Sequence, residues 1–149
     1  MEYIEIFDFD PSPKMEPPPI GAYKLITKSF IFYYLNNEYH NEDGPAVIEL
    51  DDNGNPESEE YYQFGKMHPS KDGVYFRFYF GGEASGKVSR ESFCNYYDDS
   101  YNYYNHCETG PAWIDYNIDG SVKEKVYYLN NNRYSEKEYN EMMETKLYW

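Results

Sequence analysis

The string Gly44-Pro45-Ala46-Val47-Ile48 returns 66 positions later as Gly110-Pro111-Ala112-Trp113-Ile114. A histidine stands four residues ahead of each copy, His40 and His106. Ten residues after each motif glycine comes a second glycine, in Asn53-Gly54 and Asp119-Gly120. Seven further on lies a tyrosine pair, Tyr61-Tyr62 and Tyr127-Tyr128. Four landmarks in register over more than twenty residues mark a duplicated unit, and such units bury their apolar faces by stacking on their neighbours. The chain is therefore expected to be a row of similar pieces.

Each piece reads as strand, turn, strand. Ala46 to Leu50 is mainly apolar, Asp52-Asn53-Gly54-Asn55 is the turn, and Glu59 to Phe64 is the return strand. Asn-Gly between strand-like runs is a strong hairpin signal. Asn36-Asn37 supplies another turn, since Asn tolerates left-handed backbone. Gly44 is expected to need a conformation that side chains resist. A weaker copy carries His68 six residues after Tyr62, with Asp72-Gly73 following it one residue later than the pattern requires. In Val74 to Phe80, alternation puts Val74, Phe76, Phe78 and Phe80 on one face and Tyr75, Arg77 and Tyr79 on the other. That run is the expected central strand. His40 and His68 are 28 positions apart but His68 and His106 are 38, so 83–105 reads as an insertion, the kind that often forms a binding loop.

The ends differ from the repeats. Tyr3 to Phe9 suits a strand, and Asp10-Pro11-Ser12-Pro13 with Pro17-Pro18-Pro19 suits a stiff, extended connector rather than a docking ligand. Tyr23 to Leu35 reads as one strand, buried on at least one face. Ser135 and Glu138 form a capping box, and Lys137 to Lys146 suits a helix. Tyr139, Met142 and Met143 would face the sheet from it and close the last edge, as terminal caps do in repeat arrays. The expected fold is mainly β, an antiparallel meander of repeated hairpins in one twisted sheet with a short C-terminal capping helix. The expected organisation is a single domain over 1–149: strand and Pro-rich connector at 1–22, repeats at 23–132, helix at 133–149.

The His-x-x-Asp-Gly-Pro-Ala string at 40–46, the Asp-Gly turn at 119–120 and the Tyr-Tyr-Leu-Asn close resemble MORN-type repeats. They look most like the divergent variants found in viral, phage and bacterial proteins. The resemblance covers roughly residues 33–132, with Thr109 where the pattern has aspartate. It implies a meander of hairpins with a scaffolding or binding role.

Composition narrows the function. A chain of 149 residues suffices for one domain with a core, and 20 Tyr and 9 Phe mean that rings build it. A net charge of −14 opposes direct binding to nucleic acid or anionic membranes and favours a basic protein partner. Met1-Glu2-Tyr3-Ile4-Glu5 lacks the basic start of a signal peptide, and no apolar run approaches a membrane span, so a cytoplasmic protein is expected. An N-terminal edge strand offers a route to a homodimer.

No catalytic or metal frame emerges. The three histidines occupy equivalent repeat positions and are expected to hydrogen-bond the following turn. Cys94 and Cys107 are too few for a disulfide framework, and with His106 they give three zinc ligands without a fourth. Asp51 to Asn55 lacks the glycine position and closing glutamate of an EF-hand. A non-enzymatic module without cofactors is expected. Its candidate partner-binding residues are Tyr96, Tyr97, Asp98, Asp99, Tyr101, Tyr103 and Tyr104 in the insertion, with Glu57, Glu59 and Glu60. Rings beside carboxylates suit arginines through both charge and ring faces. Two other readings stay open: an acidic mimic of nucleic acid that inhibits a nuclease or defence complex, of the CRISPR type for instance, and a carbohydrate-binding module.

Overall fold

The computed structural model describes residues 1–9, 20–94, 102 and 104–145. Its strands are β1 (Ile4–Phe7), β2 (Ala22–Ile26), β3 (Phe30–Leu35), β4 (Glu38–Tyr39), β5 (Val47–Leu50), β6 (Pro56–Glu60) and β7 (Tyr62–Gln63). They continue as β8 (Lys66–Met67), β9 (Phe76–Tyr79), β10 (Val88–Ser92), β11 (Trp113–Tyr116), β12 (Val122–Leu129) and β13 (Asn132–Tyr134), ahead of helix α1 (Glu136–Thr145). One sheet runs β1-β2-β3-β5-β6-β9-β10-β11-β12-β13, with β4 on β3 and a separate β7-β8 hairpin. From β2 onward it is an antiparallel meander, and β9 lies in its interior as expected. Among the described residues no helix is long and apolar enough to cross a membrane.

The duplication in sequence is a duplication in space. Ala46 N–H donates to Glu60 O at 2.9 Å, and Ala112 N–H to Val126 O at 2.7 Å. Asn41 N–H donates to Tyr62 O at 3.1 Å, and Cys107 N–H to Tyr128 O at 2.9 Å. Gly65 N–H reaches Tyr39 O at 2.9 Å, and Asn131 N–H reaches Asn105 O at 2.8 Å. Three hairpins turn through residue pairs with positive φ: Asn36-Asn37 (49° and 68°), Phe64-Gly65 (49° and 75°) and Asn130-Asn131 (49° and 64°). Two consecutive left-handed residues match the right-handed strand twist, which is why Asn and Gly collect there.

Four expectations are corrected. The run Tyr23 to Leu35 is a hairpin, because Thr27 Oγ1 accepts the N–H groups of Phe30 (2.9 Å) and Ser29 (3.3 Å) and folds the chain back. β1 joins β2 in parallel, so the sheet is mixed. Asp72-Gly73 does not repeat the Asp43-Gly44 turn. Ser70 N–H bonds Val74 O and Gly73 N–H bonds Ser70 O, the pattern of Asp51 to Asn55 and Asn117 to Ser121. The extra residue after His68 permits this turn, in which Gly73 takes φ 81° like Gly54. Gly44, finally, has no positive φ, and a Cβ there would sit 3.5 Å from Asn41 Nδ2, an ordinary contact. Its counterpart Gly110 has φ 142°, with its N–H on the Tyr139 hydroxyl at 3.0 Å.

The helix forms as its capping box requires. Glu138 N–H donates to Ser135 Oγ and Ser135 N–H to the Glu138 carboxylate. Tyr139 is buried against Tyr127 and Leu129, with Met142 and Met143 beside it. Its hydroxyl donates to Cys107 O at 2.8 Å, tying the helix under the second copy's loop.

Candidate interaction surface

Strand register sorts side chains onto two faces. Tyr23, Phe30, Phe32, Tyr34, Val47, Glu49, Ser58, Glu60, Phe76, Arg90 and Trp113 share one. Ile31, Ile48, Glu59, Arg77, Glu91 and Tyr127 share the other, where α1 packs. We call these the ring face and the helix face.

The ring face carries a ladder of six aromatics. Tyr23 stacks on Tyr34 (4.8 Å between centroids), Tyr34 meets Tyr39 (5.1 Å), and Tyr39 meets Tyr62 (5.3 Å). Phe30 stacks on Phe32 (5.3 Å), and Phe32 on Tyr39 (5.8 Å). The strand spacing places such neighbours at ring-contact distance. Tyr23 is buried, while the other five remain half-exposed, and Phe78 further along is exposed. Burial pushes the Tyr34 hydroxyl pKa up, with the neighbouring Tyr39 adding to it. The alternation Phe30, Phe32, Tyr34 was visible in the sequence, but Tyr23's place beside it was not, because in one continuous strand Tyr23 would lie on the opposite face.

The helix face carries a charged network instead. Arg77 donates to Glu91 Oε2 through Nε (3.0 Å) and Nη2 (2.7 Å), and to the Tyr61 hydroxyl through Nη1 (3.0 Å). Glu59 lies 3.5 Å from Nη1 and accepts from Tyr61, while Tyr116 donates to Glu91 Oε1 at 2.9 Å. Burial and the hydrogen bond to Glu91 push Tyr116 up to about 12. Open hollows of about 570 Å³ and 460 Å³ flank the network, one beside Glu59, His68 and Arg77, the other beside Glu91 and Tyr116. Both carboxylates are engaged by Arg77, so they do not form a free acid–base pair of the kind glycoside hydrolysis uses.

His40 and His106 act as latches. Phe64 N–H donates to His40 Nδ1 at 3.0 Å, and Asn130 N–H to His106 Nδ1 at 3.0 Å. Each ring thus anchors the turn one hairpin further on. An Nδ1 that accepts a hydrogen bond leaves the neutral ring's own proton on Nε2. Nε2 faces Glu108 at 3.1 Å in the second copy; in the first it is buried 3.5 Å from Glu42, without hydrogen-bond geometry. With its lone pair used, neither imidazole is a base or a metal ligand. His68 is built differently, since its Nδ1 must donate to Pro69 O (3.0 Å). Cys94 and Cys107 form a disulfide with Cα atoms 5.7 Å apart, which removes both sulfurs from the zinc reading. Among the described residues no cluster suits a metal ion.

The sequence-based candidates fare unevenly. Tyr96, Tyr97, Asp98, Asp99, Tyr101 and Tyr103 lie outside the described residues. Tyr104 donates to Asn130 Oδ1 at 2.6 Å and stacks on His106, so it braces the latch. Glu57 and Glu59 alternate with Glu60, which lies on the ring face and accepts from Tyr62 at 2.9 Å. The three acids therefore do not share one surface. Compared with family models, curated proteins and solved structures, the chain matches none, and its functional reading rests on its own geometry.

Proposed function

We propose that this chain is a non-enzymatic interaction module of MORN-like build that docks a basic protein on its ring face. The carrying observation is the half-exposed aromatic ladder, on a face against which the helix does not pack. Large rings with few rotatable bonds give contact area at low entropic cost, which is why they anchor interfaces. The acids support this reading over imitation of nucleic acid. Among the described residues they sit in turns (Asp51, Asp72, Asp119), on both faces (Glu59, Glu60), on the helix (Glu136, Glu141), or in ion pairs with Arg77, Arg90 and Arg133. That distribution gives solubility and attraction rather than a continuous phosphate-like track. The disulfide argues for action in an oxidising compartment, where such bonds persist, and against the cytoplasmic expectation.

A peptide-display selection on the immobilised, oxidised protein tests the reading. Basic, extended peptides should be enriched, and their capture should be lost in the Tyr34→Ser/Tyr39→Ser variant. Affinity should fall only a few-fold between low and physiological salt. Capture insensitive to that variant overturns the ring face, and a steep salt slope like that of phosphate contacts favours the mimic instead.

A further inference from the structure

The two copies differ in one respect that bears on the partner. In the second copy Arg90 lies opposite Asp115 on the ring face, with Nε 2.6 Å from Oδ1 and Nη2 3.0 Å from Oδ2. The same guanidinium sits 5.1 Å over the Trp113 ring. This is a planar cation held by a carboxylate and a ring face together, the pairing that suits arginine better than lysine. The register of the first copy places Glu49 where Asp115 stands, and Phe30 opposite it where Arg90 stands. Glu49 and Phe30 are half-exposed, Phe30 continues into the ladder through Phe32, and Glu60 lies one strand away on the same face. Ser58 Oγ donates to Glu49 Oε2 at 3.2 Å, and among the described residues Glu49 and Glu60 join no ion pair.

We infer that the first copy is an arginine-accepting site. An arginine of the partner lays its guanidinium on the Phe30–Phe32 rings and pairs with Glu49, completing from outside what Arg90 completes from within. The inference rests on the ring face being the docking surface and adds the residue type that anchors there. It also accounts for the asymmetry of an otherwise repeated structure. The second copy carries its own cation and is closed, whereas the first presents a carboxylate and rings to the solvent.

The probe is the peptide Gly-Arg-Gly-Arg-Gly, with Gly-Lys-Gly-Lys-Gly as control, titrated into the full chain and followed residue by residue by NMR. The expected result is shifts centred on β3, β5 and β6, and tighter binding of the arginine peptide. Glu49→Gln keeps the side-chain shape and should weaken that binding about tenfold, the loss typical of one charge-assisted pair. Arg90→Ala should open a second site of the same preference around Asp115 and Trp113. Equal affinity for both peptides with shifts spread over all acidic turns overturns the inference, as does an unaltered Kd in Glu49→Gln. The display selection separates the two levels: peptides without arginine that still need Tyr34 and Tyr39 would keep the docking face and sink the arginine site alone.

Discussion

His40 shows how much one side chain can settle. Its ring is fully buried, accepts the Phe64 N–H and packs on the Phe64 ring at 4.3 Å. That contact explains how a bulky residue holds φ 49°, a region unfavourable for anything but Gly or Asn. Removing the ring leaves a cavity and an unsatisfied amide, so His40→Ala should cost about 2–4 kcal/mol. His68→Ala, at an exposed ring outside the latch, should cost within about 0.5 kcal/mol. Denaturant unfolding of both variants checks this, and equal losses would contradict the latch. The equivalence of His40 and His106 was legible from spacing alone, but the turn each serves was not: in place of the turn that directly follows, each ring holds one 24 residues further on. The departure of His68 was not, because it depends on which ring nitrogen donates to Pro69 O.

At the scale of elements, hairpins with Asn or Gly in the turn were legible, since left-handed positions select those residues. The β2–β3 turn was missed because Thr27 makes it with a hydroxyl, a weaker sequence signal than Asn-Gly. The cysteine pair was missed because pairing depends on proximity across the insertion. Cys107 stands where the first copy has Asn41, whose Nδ2 donates to Pro45 O at 2.9 Å; Cys107 Sγ lies 3.6 Å from Pro111 O and bonds Cys94 instead. The bridge closes a segment of sequence separation 13, so its reduction should lower unfolding free energy by about 3 kcal/mol, the chain-entropy value for such a loop. Cys94→Ser/Cys107→Asn should recover part of that loss by restoring the amide of the first copy. Coincident unfolding curves with and without reductant would contradict the cross-link.

The whole molecule is one sheet with unequal faces. Its meander and capping helix could be read from periodicity, because apolar alternation and a capping box act locally. The neighbours each face meets could not, because they depend on register across strands distant in sequence: alternation alone separates Glu59 from Glu60, and only pairing puts Glu59 with Arg77 and Glu60 with Phe76. The same register brings Arg77 between Glu59 and Glu91, a partly buried pairing whose desolvation offsets much of its Coulomb attraction. The central claim, docking on the ring face, is tested most directly by hydroxyl-radical footprinting with a peptide from the display selection. Protection of Phe32, Tyr34, Tyr39 and Tyr62, with Tyr79 and Tyr116 unchanged, is the result expected here. Protection of Tyr116 and His68 beside the helix-face hollows, with the ladder still reactive, would contradict it.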